Sequence, residues 1–432
     1  MAPVTNADLA ELLALESRNA TGVLQRALKR AARAAFLWPE EAVEVYRSGG
    51  RLTELHGVGP RLASIIANWI ENAGAGEGES DPLREDFLTL ADARRILAND
   101  PAWSGRALGD LQMHTAWSDG SGSVCDMAAA AVAHGHRYIA ITDHSVGLKI
   151  AGGIGEDELL QQQAEIAEVN ASLAAAGNEL TVLRSIELNL NPRGEGDMSS
   201  ESLARLDLVL GSFHSSLRKK EDQTERYLAA LRNPDLHILG HPRGRVYNFR
   251  IGLQGDWPRV FAEAATLDRA VEIDCYPDRQ DLNVELLRLV REAGARVSLG
   301  TDAHDPAQFG FIELGLAAAL RAGIPAERII NFLPLPDLLA WVKRLRDASP
   351  RLRKRYKVHR PNAETLQLHH RRRVHRHNVR REPARRLSRS ERPRRRNDAG
   401  DRARDESLRN GLRPATANRA GHTPAANFHS RR

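Results

Sequence analysis

Side chains of the types that bind metals, His, Asp and Glu, recur in this sequence directly after short apolar segments. They follow YIAIT, TVLRSI, LVLGSF, LHILG and VSLGT, and they are Asp143 with His144, Glu187, His214, His241, and Asp302 with His304. A lone buried His more often makes an ordinary core hydrogen bond than it binds a metal. Five segments that end in this way predict a shared cluster, because imidazole and carboxylate groups are ligands for Zn, Mn or Fe.

A further segment upstream, DLQMHTAWSDG, adds three candidates. Gln112 and His114 are two positions apart on a predicted strand, so their side chains point to the same side. Asp119 follows in the turn SDG, from which it can reach back over the same rim. Metal ions about 3.5 to 4 Å apart can lower the pKa of a water molecule and polarise a phosphoryl oxygen. The set therefore predicts metal-assisted hydrolysis.

The segments that carry these residues alternate with helical segments from about Asp110 onward. Such alternation predicts parallel strands with helices packed outside, and a (β/α) barrel is the simplest closed arrangement. In such barrels the chemistry gathers at the carboxyl ends of the strands, which is where the candidate residues stand. The expected fold class is therefore α/β.

The sequence before the barrel has a different pattern. LAELLALE, VLQRALKRAARAAFL and RLASIIANWIENA repeat apolar residues at helical spacing, which predicts a small all-α domain over residues 1–75. The Gly-rich segment AGAGEGESDP predicts a flexible linker, and residues 76–108 are assigned to this linker and a lead-in helix. LTELHGVGPRLASIIANWIE has the helix-hairpin-helix pattern, in which the candidate DNA-binding residues are Gly57, Val58, Gly59 and Arg61. The alternative is a packing module that does not bind DNA.

Charge is distributed very unevenly along the 432 residues, which carry a formal net charge of +6. Residues 351–432 hold 26 Lys and Arg against 7 Asp and Glu, which leaves 36 basic and 49 acidic residues, a net −13, for residues 1–350. The segment 349–432 has too few apolar residues to fold, so we expect a disordered basic tail that either attracts nucleic acid or has no role. The acidic body is a poor general polyanion binder, so any DNA contact must be local or made through the tail.

The bulk features favour a cytoplasmic protein with no membrane partner. No window approaches the ~20 apolar residues of a membrane span, and the N-terminus lacks the layout of a secretory signal. Cys125 and Cys275 form neither a disulfide framework nor a thiolate metal pair, which fits a reducing compartment. The sequence leaves the oligomeric state open.

Seven short segments, QMHTAWSDG, ITDH, SIE, SFHSS, LGHPRGR, EID and TDAH, resemble the motifs of the polymerase and histidinol phosphatase (PHP) family. TDHSVGLKIAGG and LLAWVKRLR are more similar to the C-terminal PHP domain of bacterial family X DNA polymerases. Residues 6–69 resemble the small DNA-gripping N-terminal domain of the same polymerases. The resemblance implies a distorted (β/α)7 barrel of PHP type over residues 109–348 and a centre of up to three Mn²⁺ or Zn²⁺ ions.

The resemblance also implies which residues hold the metals. One ion would take Gln112, His114, Glu187 and Asp302; a second, sharing Glu187, would take His214 and His241; a third would take Asp119, His144 and His304. The candidate catalytic residues, which would orient water or transfer protons, are His214, His241, Asp302 and His304. Gln112 stands where many family members have His, which predicts looser binding or a preference for Mn²⁺ at the first site.

Three cations that follow strand ends, Lys149, Arg245 and Arg279, are candidate contacts for substrate phosphate, with a solvated surface role as the alternative. Ile65 stands where lyase-active relatives carry a Schiff-base Lys, and the linker leaves no room for a polymerase palm. Neither lyase nor polymerase activity is therefore expected. The leading hypothesis, which the resemblance to family X polymerases implies, is a metal-dependent nuclease acting on DNA 3′ ends in repair. The alternatives are a small-molecule phosphatase of the histidinol phosphatase kind and a non-catalytic DNA-binding protein.

Overall fold

The computed structural model describes residues 3–72 and 81–356, with side chains described as far as residue 350. The N-terminal helices are α1 (Asn6–Asn19), α2 (Gly22–Ala34), α3 (Ala42–Arg47) and α4 (Pro60–Asn72). Two short helices, α5 (Leu90–Ala98) and α6 (Pro101–Ser104), lead into the barrel. Most of the predicted flexible linker and nearly all of the predicted basic tail lie outside the described residues.

The N-terminal helical region has an apolar core of its own. Helix α1 starts at a capping box, in which the Thr5 hydroxyl accepts from the Asp8 N–H at 3.2 Å and the Asp8 carboxylate accepts from the Thr5 N–H at 2.8 Å. Leu9 and Leu13, one turn apart, are buried against Leu28 of α2. Helical spacing of apolar residues thus gives the helical region that the sequence predicts.

The barrel strands are β1 (Gly109–Asp110), β2 (Tyr138–Ile141), β3 (Thr181–Arg184), β4 (Glu187–Asn189), β5 (Leu210–Ser212), β6 (Ile238–Leu239), β7 (Ala270–Asp274) and β8 (Arg296–Gly300). They pair in parallel in chain order, β1 to β3 in one sheet and β4 to β8 in a second. The Glu187 N–H donates to the Thr142 carbonyl at 3.2 Å, so β3 and β4 are two halves of one strand. The Asp302 N–H donates to the Gln112 carbonyl at 3.0 Å and joins the last strand to the first. The predicted distorted seven-stranded α/β barrel is confirmed.

The remaining helices are α7 (Val124–Ala133), α8 (Glu156–Ala175), α9 (Ser200–Leu203), α10 (Thr224–Leu231), α11 (Trp257–Thr266), α12 (Val284–Ala293), α13 (Ile312–Ala322) and α14 (Leu335–Tyr356). Trp341 of α14 packs with Tyr138, Ile238 and Ala270, the first residues of three strands. Helix α14 therefore covers the amino ends of the strands and leaves the carboxyl ends for a site. It also runs beyond residue 348, the predicted end of the barrel. None of the described helices is both long enough and apolar enough to cross a membrane.

A mixed aromatic and polar joint holds the helical region against the barrel. The ring of Tyr247, from the loop after β6, lies 4.6 Å from that of Phe36 and 5.3 Å from that of Phe87, measured between centroids. Beside these rings, the buried Arg84 donates to Glu11 of α1 at 2.6 Å and to Asn248 at 2.9 Å. Loss of Glu11 would leave two nitrogens of this buried guanidinium without their acceptor, so the ion pair helps to fix the two regions together.

Candidate metal centre

Glu187, the first residue of β4, lies at the centre of the carboxyl rim of the barrel. Its Oε1 lies 3.1 Å from His214 Nε2 and 3.2 Å from His241 Nε2. Its Oε2 lies 2.9 Å from His144 Nδ1 and 3.5 Å from His114 Nε2. One buried carboxylate is therefore contacted by imidazoles from four different segments.

Asp119 organises a second group of imidazoles. Its Oδ1 lies 3.4 Å from His304 Nε2, 3.6 Å from His144 Nε2 and 3.8 Å from His114 Nδ1. The ligand atoms of these four residues all lie within 4.8 Å of one another. The His114 ring stacks between those of His144 and His304, each at a centroid distance of 4.4 Å. The turn SDG thus places Asp119 over the rim, as the sequence predicts.

Asp302 and Gln112 complete the rim on the side of β1 and β8. Asp302 Oδ1 lies 2.9 Å from His114 Nε2, and its Oδ2 pairs with the Arg279 guanidinium. With its amide nitrogen turned toward Glu272, Gln112 donates to both oxygens of that carboxylate, one of them at 2.8 Å. Glu272 also accepts from the His241 N–H at 2.7 Å. Gln112 is therefore tied to a buried carboxylate and keeps its amide oxygen as a possible metal ligand.

The structure brings all nine predicted ligands to one rim. Two of them, His114 and His144, contact both Glu187 and the group around Asp119. His114 contacts Asp302 and Glu187, and it also belongs to the group around Asp119. His144 lies with that group and also with Glu187 and His214. The division of the nine residues among three metals stays a prediction.

Burial and charge favour the ionised form of two rim carboxylates and the neutral form of one rim imidazole, His241. Burial raises the pKa of Glu187, but His144, His214 and His241 outweigh it and hold the pKa well below its usual value. Burial likewise raises the pKa of Asp302, while Arg279 and His114 bring it below the usual range. Burial lowers the pKa of His241 to about 4. Ionised carboxylates beside a neutral imidazole are the states in which both can donate to a metal.

The donor atoms of the rim fit divalent cations. Glu187 Oε2 and His114 Nδ1 are buried, and neither makes a hydrogen bond within the part of the chain that the structure describes. Buried polar atoms without a partner are rare, and an ion is one way to satisfy them. The set offers imidazole nitrogens and carboxylate oxygens without a thiolate, as in hydrolytic zinc and manganese sites.

Three polar residues that the sequence did not assign as ligands support this rim. The carboxylate of Glu272 holds Gln112, and Asn189 Oδ1 lies 3.2 Å from His214 Nδ1. Asp143, one of the strand-end candidates, instead accepts from the Thr115 N–H at 2.8 Å and the Gln162 amide at 2.6 Å. The signal for Glu272 was its place two residues before the end of β7, because alternate strand residues share a face.

The three predicted phosphate contacts lie in different surroundings. Lys149 is exposed, on the 3-10 turn Lys149–Ala151 after β2. Arg279 is at the rim, where it pairs with Asp302 and keeps 32% of its side chain exposed. Arg245 is buried, and its nitrogens donate to backbone carbonyls of Glu85, Asp86, Arg279 and Gln280. The phosphate contact predicted for Arg245 does not fit this structure, because the segment before α5 covers its side chain.

The predicted helix-hairpin-helix residues form a tight turn at the start of α4. Gly57 has φ +79°, and a Cβ there would lie 3.3 Å from the Cβ of Ala34. Val58 is buried, whereas Gly59 and Arg61 are exposed. The turn has the geometry that the GVG sequence requires, and DNA binding by it stays a prediction.

Comparisons with known proteins agree with this geometry. The PHP domain family matches residues 110–295. The chain is 34% identical over 241 residues to a DNA polymerase/3′-5′ exonuclease PolX of Bacillus subtilis (strain 168), covering 56% of this chain and 42% of that protein. It is 30% identical over 236 residues to a probable phosphatase of Edwardsiella ictaluri (strain 93-146), covering 52% of this chain and 90% of that one. The probable phosphatase YcdX of Escherichia coli (strain K12) is 26% identical over 230 residues, with coverages of 52% and 90%.

Among solved structures, a histidinol phosphate phosphatase of Lactococcus lactis matches 56% of this chain and 94% of its own, with 17% identity and a TM-score of 0.34. The barrel, its rim of imidazoles and carboxylates, and the sequence relatives define a metal-dependent phosphoesterase. More specifically, the chain belongs to the PHP family. It spans less than half of the length of the PolX relative but most of the length of the two phosphatases.

Proposed function

We propose that this chain is a nuclease that removes nucleotides from DNA 3′ ends, with Mn²⁺ or Zn²⁺ held at the barrel rim. The observation that carries the proposal is the position of Glu187, a buried carboxylate with two imidazoles on each of its oxygens. A bridging carboxylate of this kind suits a pair of metals acting on one phosphoester. The exonuclease named in the B. subtilis relative supports DNA as the substrate.

The proposed ligands are the ones that the family resemblance implies, and the contacts of His114 with Glu187 and Asp302 support the first set. One cation would be held by Gln112, His114, Glu187 and Asp302, a second by His214 and His241 with Glu187, and a third by Asp119, His144 and His304. Cations bound there would activate water and stabilise the leaving oxygen of the phosphoester. Ligation of this kind would also satisfy the buried Oε2 atom of Glu187.

The remaining steps fall to side chains that stay accessible. His214 is 14% exposed, more than the other three imidazoles around Glu187, so it is the best placed of the four to exchange a proton with substrate or solvent. Arg279, next to Asp302, would hold a phosphate oxygen with its exposed edge. Asp302 and His304 would orient water from the opposite side of the rim.

The helical region would present the DNA to this rim as a helix-hairpin-helix domain. The first N–H groups of α4 have no acceptor within the helix, so they can bind a backbone phosphate without reading sequence. Gly57, Val58 and Gly59 would shape that turn, and Arg61 would add a charge. Residues 1–75 are thus proposed as the DNA-holding domain and residues 109–348 as the catalytic one, with a role in DNA repair.

The test is digestion of a 5′-labelled single-stranded oligonucleotide in the presence of Mn²⁺. We expect a ladder of products shortened from the 3′ end with the wild-type chain and loss of the ladder with His241→Ala. A matched control is Glu313→Gln, which changes an exposed surface ion pair with Arg94. An active His241→Ala variant with full metal content would contradict the proposed site.

A second candidate function is favoured by the two phosphatase relatives, because the chain covers 90% of each. In that case the chain would release inorganic phosphate from histidinol phosphate and would be indifferent to DNA. Running both assays on the same metal-loaded sample separates the two functions. Retention of DNA without either reaction would instead indicate a non-catalytic binding protein.

A further inference from the structure

The loops after β5 and β6 carry a basic and aromatic surface beside the metal centre, here called the rim platform and defined as Arg218, Lys219, Lys220 and Phe249. Arg218 follows His214 by four residues, and Phe249 follows His241 by eight. His214 and His241 both contact Glu187 Oε1. The rim platform is therefore built on the two loops that leave the metal centre on this side.

A small hairpin holds Phe249 in place. The Val246 N–H donates to the Arg250 carbonyl at 2.8 Å, and the Arg250 N–H donates back to Val246 at 2.9 Å. Within the turn, the Asn248 N–H donates to the Leu83 carbonyl at 2.8 Å, and the Tyr247 ring is buried in the joint with the helical region. Contacts of Tyr247 and Asn248 with the joint thus hold the hairpin in place, while Phe249 remains 41% exposed. An exposed aromatic ring on an anchored turn offers contact area at little cost in conformational entropy.

One unpaired cation contacts this ring, and two more follow it directly in the chain. The Arg218 guanidinium carbon lies 4.6 Å from the centroid of Phe249, within the range of a cation–π contact. Arg218, Lys219 and Lys220 are all exposed, and none forms an ion pair with a carboxylate in the described part of the chain. Three neighbouring unpaired cations stand out in a body whose net charge is −13 over residues 1–350. The acidic Glu221 and Asp222 follow directly, so the positive charge is confined to residues 218–220.

We propose that the rim platform binds single-stranded polynucleotide, with a base stacked on Phe249 and backbone phosphates on Arg218, Lys219 and Lys220. This inference rests on the proposed nuclease function, which it extends by naming the form of substrate. Stacking on an aromatic ring tolerates any base, and a cationic groove follows the backbone, so the combination binds without sequence preference. The exposed side chain of Ile251 nearby also suits a protein partner, but the unpaired cations favour a polyanion.

The first test measures binding without cleavage. The full chain in EDTA is titrated into a labelled 12-nucleotide single strand that contains 2-aminopurine, whose fluorescence is quenched on stacking. We expect Phe249→Ala to weaken binding about tenfold and to abolish the quench, and Phe249→Trp to restore both. The control is Leu339→Ala, an exposed apolar residue of α14, which covers the opposite end of the barrel. Its binding and quench should match those of the wild type.

Salt dependence separates the cations from the ring. The double variant Lys219→Ala with Lys220→Ala removes two phosphate contacts, so the slope of log K against log salt should fall by about 1.4. Phe249→Ala should leave this slope unchanged while weakening binding. Arg321→Ala, at the carboxyl end of α13, is the matched control for lost charge, because barrel helices run back toward the amino ends of the strands.

Cleavage assays distinguish failure of this inference from failure of the proposed function. The ratio of kcat/KM on the 12-mer to kcat/KM on the p-nitrophenyl ester of thymidine 5′-phosphate should fall about tenfold in Phe249→Ala, through KM on the 12-mer. Cleavage of DNA by a Phe249→Ala variant with wild-type binding and quench would overturn the rim platform and leave the nuclease intact. A second result is a wild-type chain that binds and quenches the 12-mer in a way that depends on Phe249, yet cleaves no DNA. That result would support the rim platform and overturn the nuclease. Failure of the wild-type chain to bind the 12-mer would overturn the rim platform. The same holds if Phe249 binds a protein instead.

Discussion

The barrel rim and the hairpin before α4 both gather candidate functional groups, but their physical surroundings are opposite. At the rim, Glu187, Asp302 and His114 are buried. The His114 imidazole lies 3.5 Å from the Glu187 carboxylate and 2.9 Å from the Asp302 carboxylate. At the hairpin, Arg61 is exposed and the useful groups are the backbone N–H groups in the first turn of α4, which begins just after Gly57 and Gly59. Buried opposing charges are the surroundings that perturb pKa values and bind metals, whereas a solvated turn can only hold a phosphate. Chemistry is therefore expected at the rim and positioning at the hairpin.

The largest effect is expected from Glu187→Gln at the rim. The substitution removes the charge that four imidazoles face, so bound metal should fall and hydrolysis should drop by about 10³-fold or more. Metal content is measured by mass spectrometry, with hydrolysis followed on the same samples. Glu313→Gln is the control. Full metal binding by Glu187→Gln would show that the buried negative charge among the four imidazoles does not define the site.

A buried imidazole without an opposing carboxylate sharpens the contrast with the rim. His136 precedes β2, and neither ring nitrogen has a hydrogen-bond partner in the described structure. Burial, with a smaller effect of His134, lowers the pKa of His136 to about 4. Unfolding restores a pKa of about 6.5, so between pH 6.5 and about 4 the unfolded chain binds a proton that the folded chain does not. This residue therefore destabilises the fold as pH falls, by about 2 kcal/mol at pH 5.

His136→Phe should remove that dependence, because the substituted ring can pack against Phe309 without titrating. The measurement is urea unfolding of both chains at pH 7 and pH 5. The wild-type free energy of unfolding should drop by about 2 kcal/mol more than that of the variant. Equal drops would show that His136 is not held neutral by the fold.

Gln112→His addresses the weakest donor of the rim. Imidazole binds zinc more strongly than an amide oxygen does, and Glu272 would accept from its second nitrogen. We expect Zn²⁺ affinity to rise about tenfold, with a smaller change for Mn²⁺. Competition with a chromophoric chelator gives both affinities. A loss of zinc affinity would mean that Gln112 holds no metal and serves only to satisfy Glu272.

The smallest effect is expected at the hairpin, from Gly57→Ala. The positive φ and the close approach to Ala34 should destabilise the fold by about 1–2 kcal/mol. Gly59→Ala is the matched control for stability, since a Cβ at Gly59 has no neighbour within 4 Å. Thermal melting of the two variants measures the difference. Equal melting temperatures would remove the reason for a glycine at position 57.

The sequence predicted the rim because its signal is local: six of the nine ligands stand within three residues of the end of a short apolar segment, and parallel strands end at one edge. The helical region and the alternation of strands and helices were predicted for the same reason. Arg245 could not be placed, because its surroundings are set by Glu85 and Asp86, about 160 residues earlier in the chain. The joint of Tyr247 with Phe36 was likewise invisible, since it packs a barrel loop into the core of the helical region. Glu272 lay inside a quoted motif, but its contact with Gln112 depends on how the barrel closes.

The most direct test of the metal centre is anomalous diffraction from crystals grown with Mn²⁺ and with Zn²⁺, recorded at the absorption edge of each metal. Peaks are predicted about 2.0–2.2 Å from the oxygens of Glu187, on the side of His214 and His241 and on the side of His114, with another among Asp119, His144 and His304. Crystals that diffract well and show no anomalous peak within bonding distance of Glu187 would contradict the account.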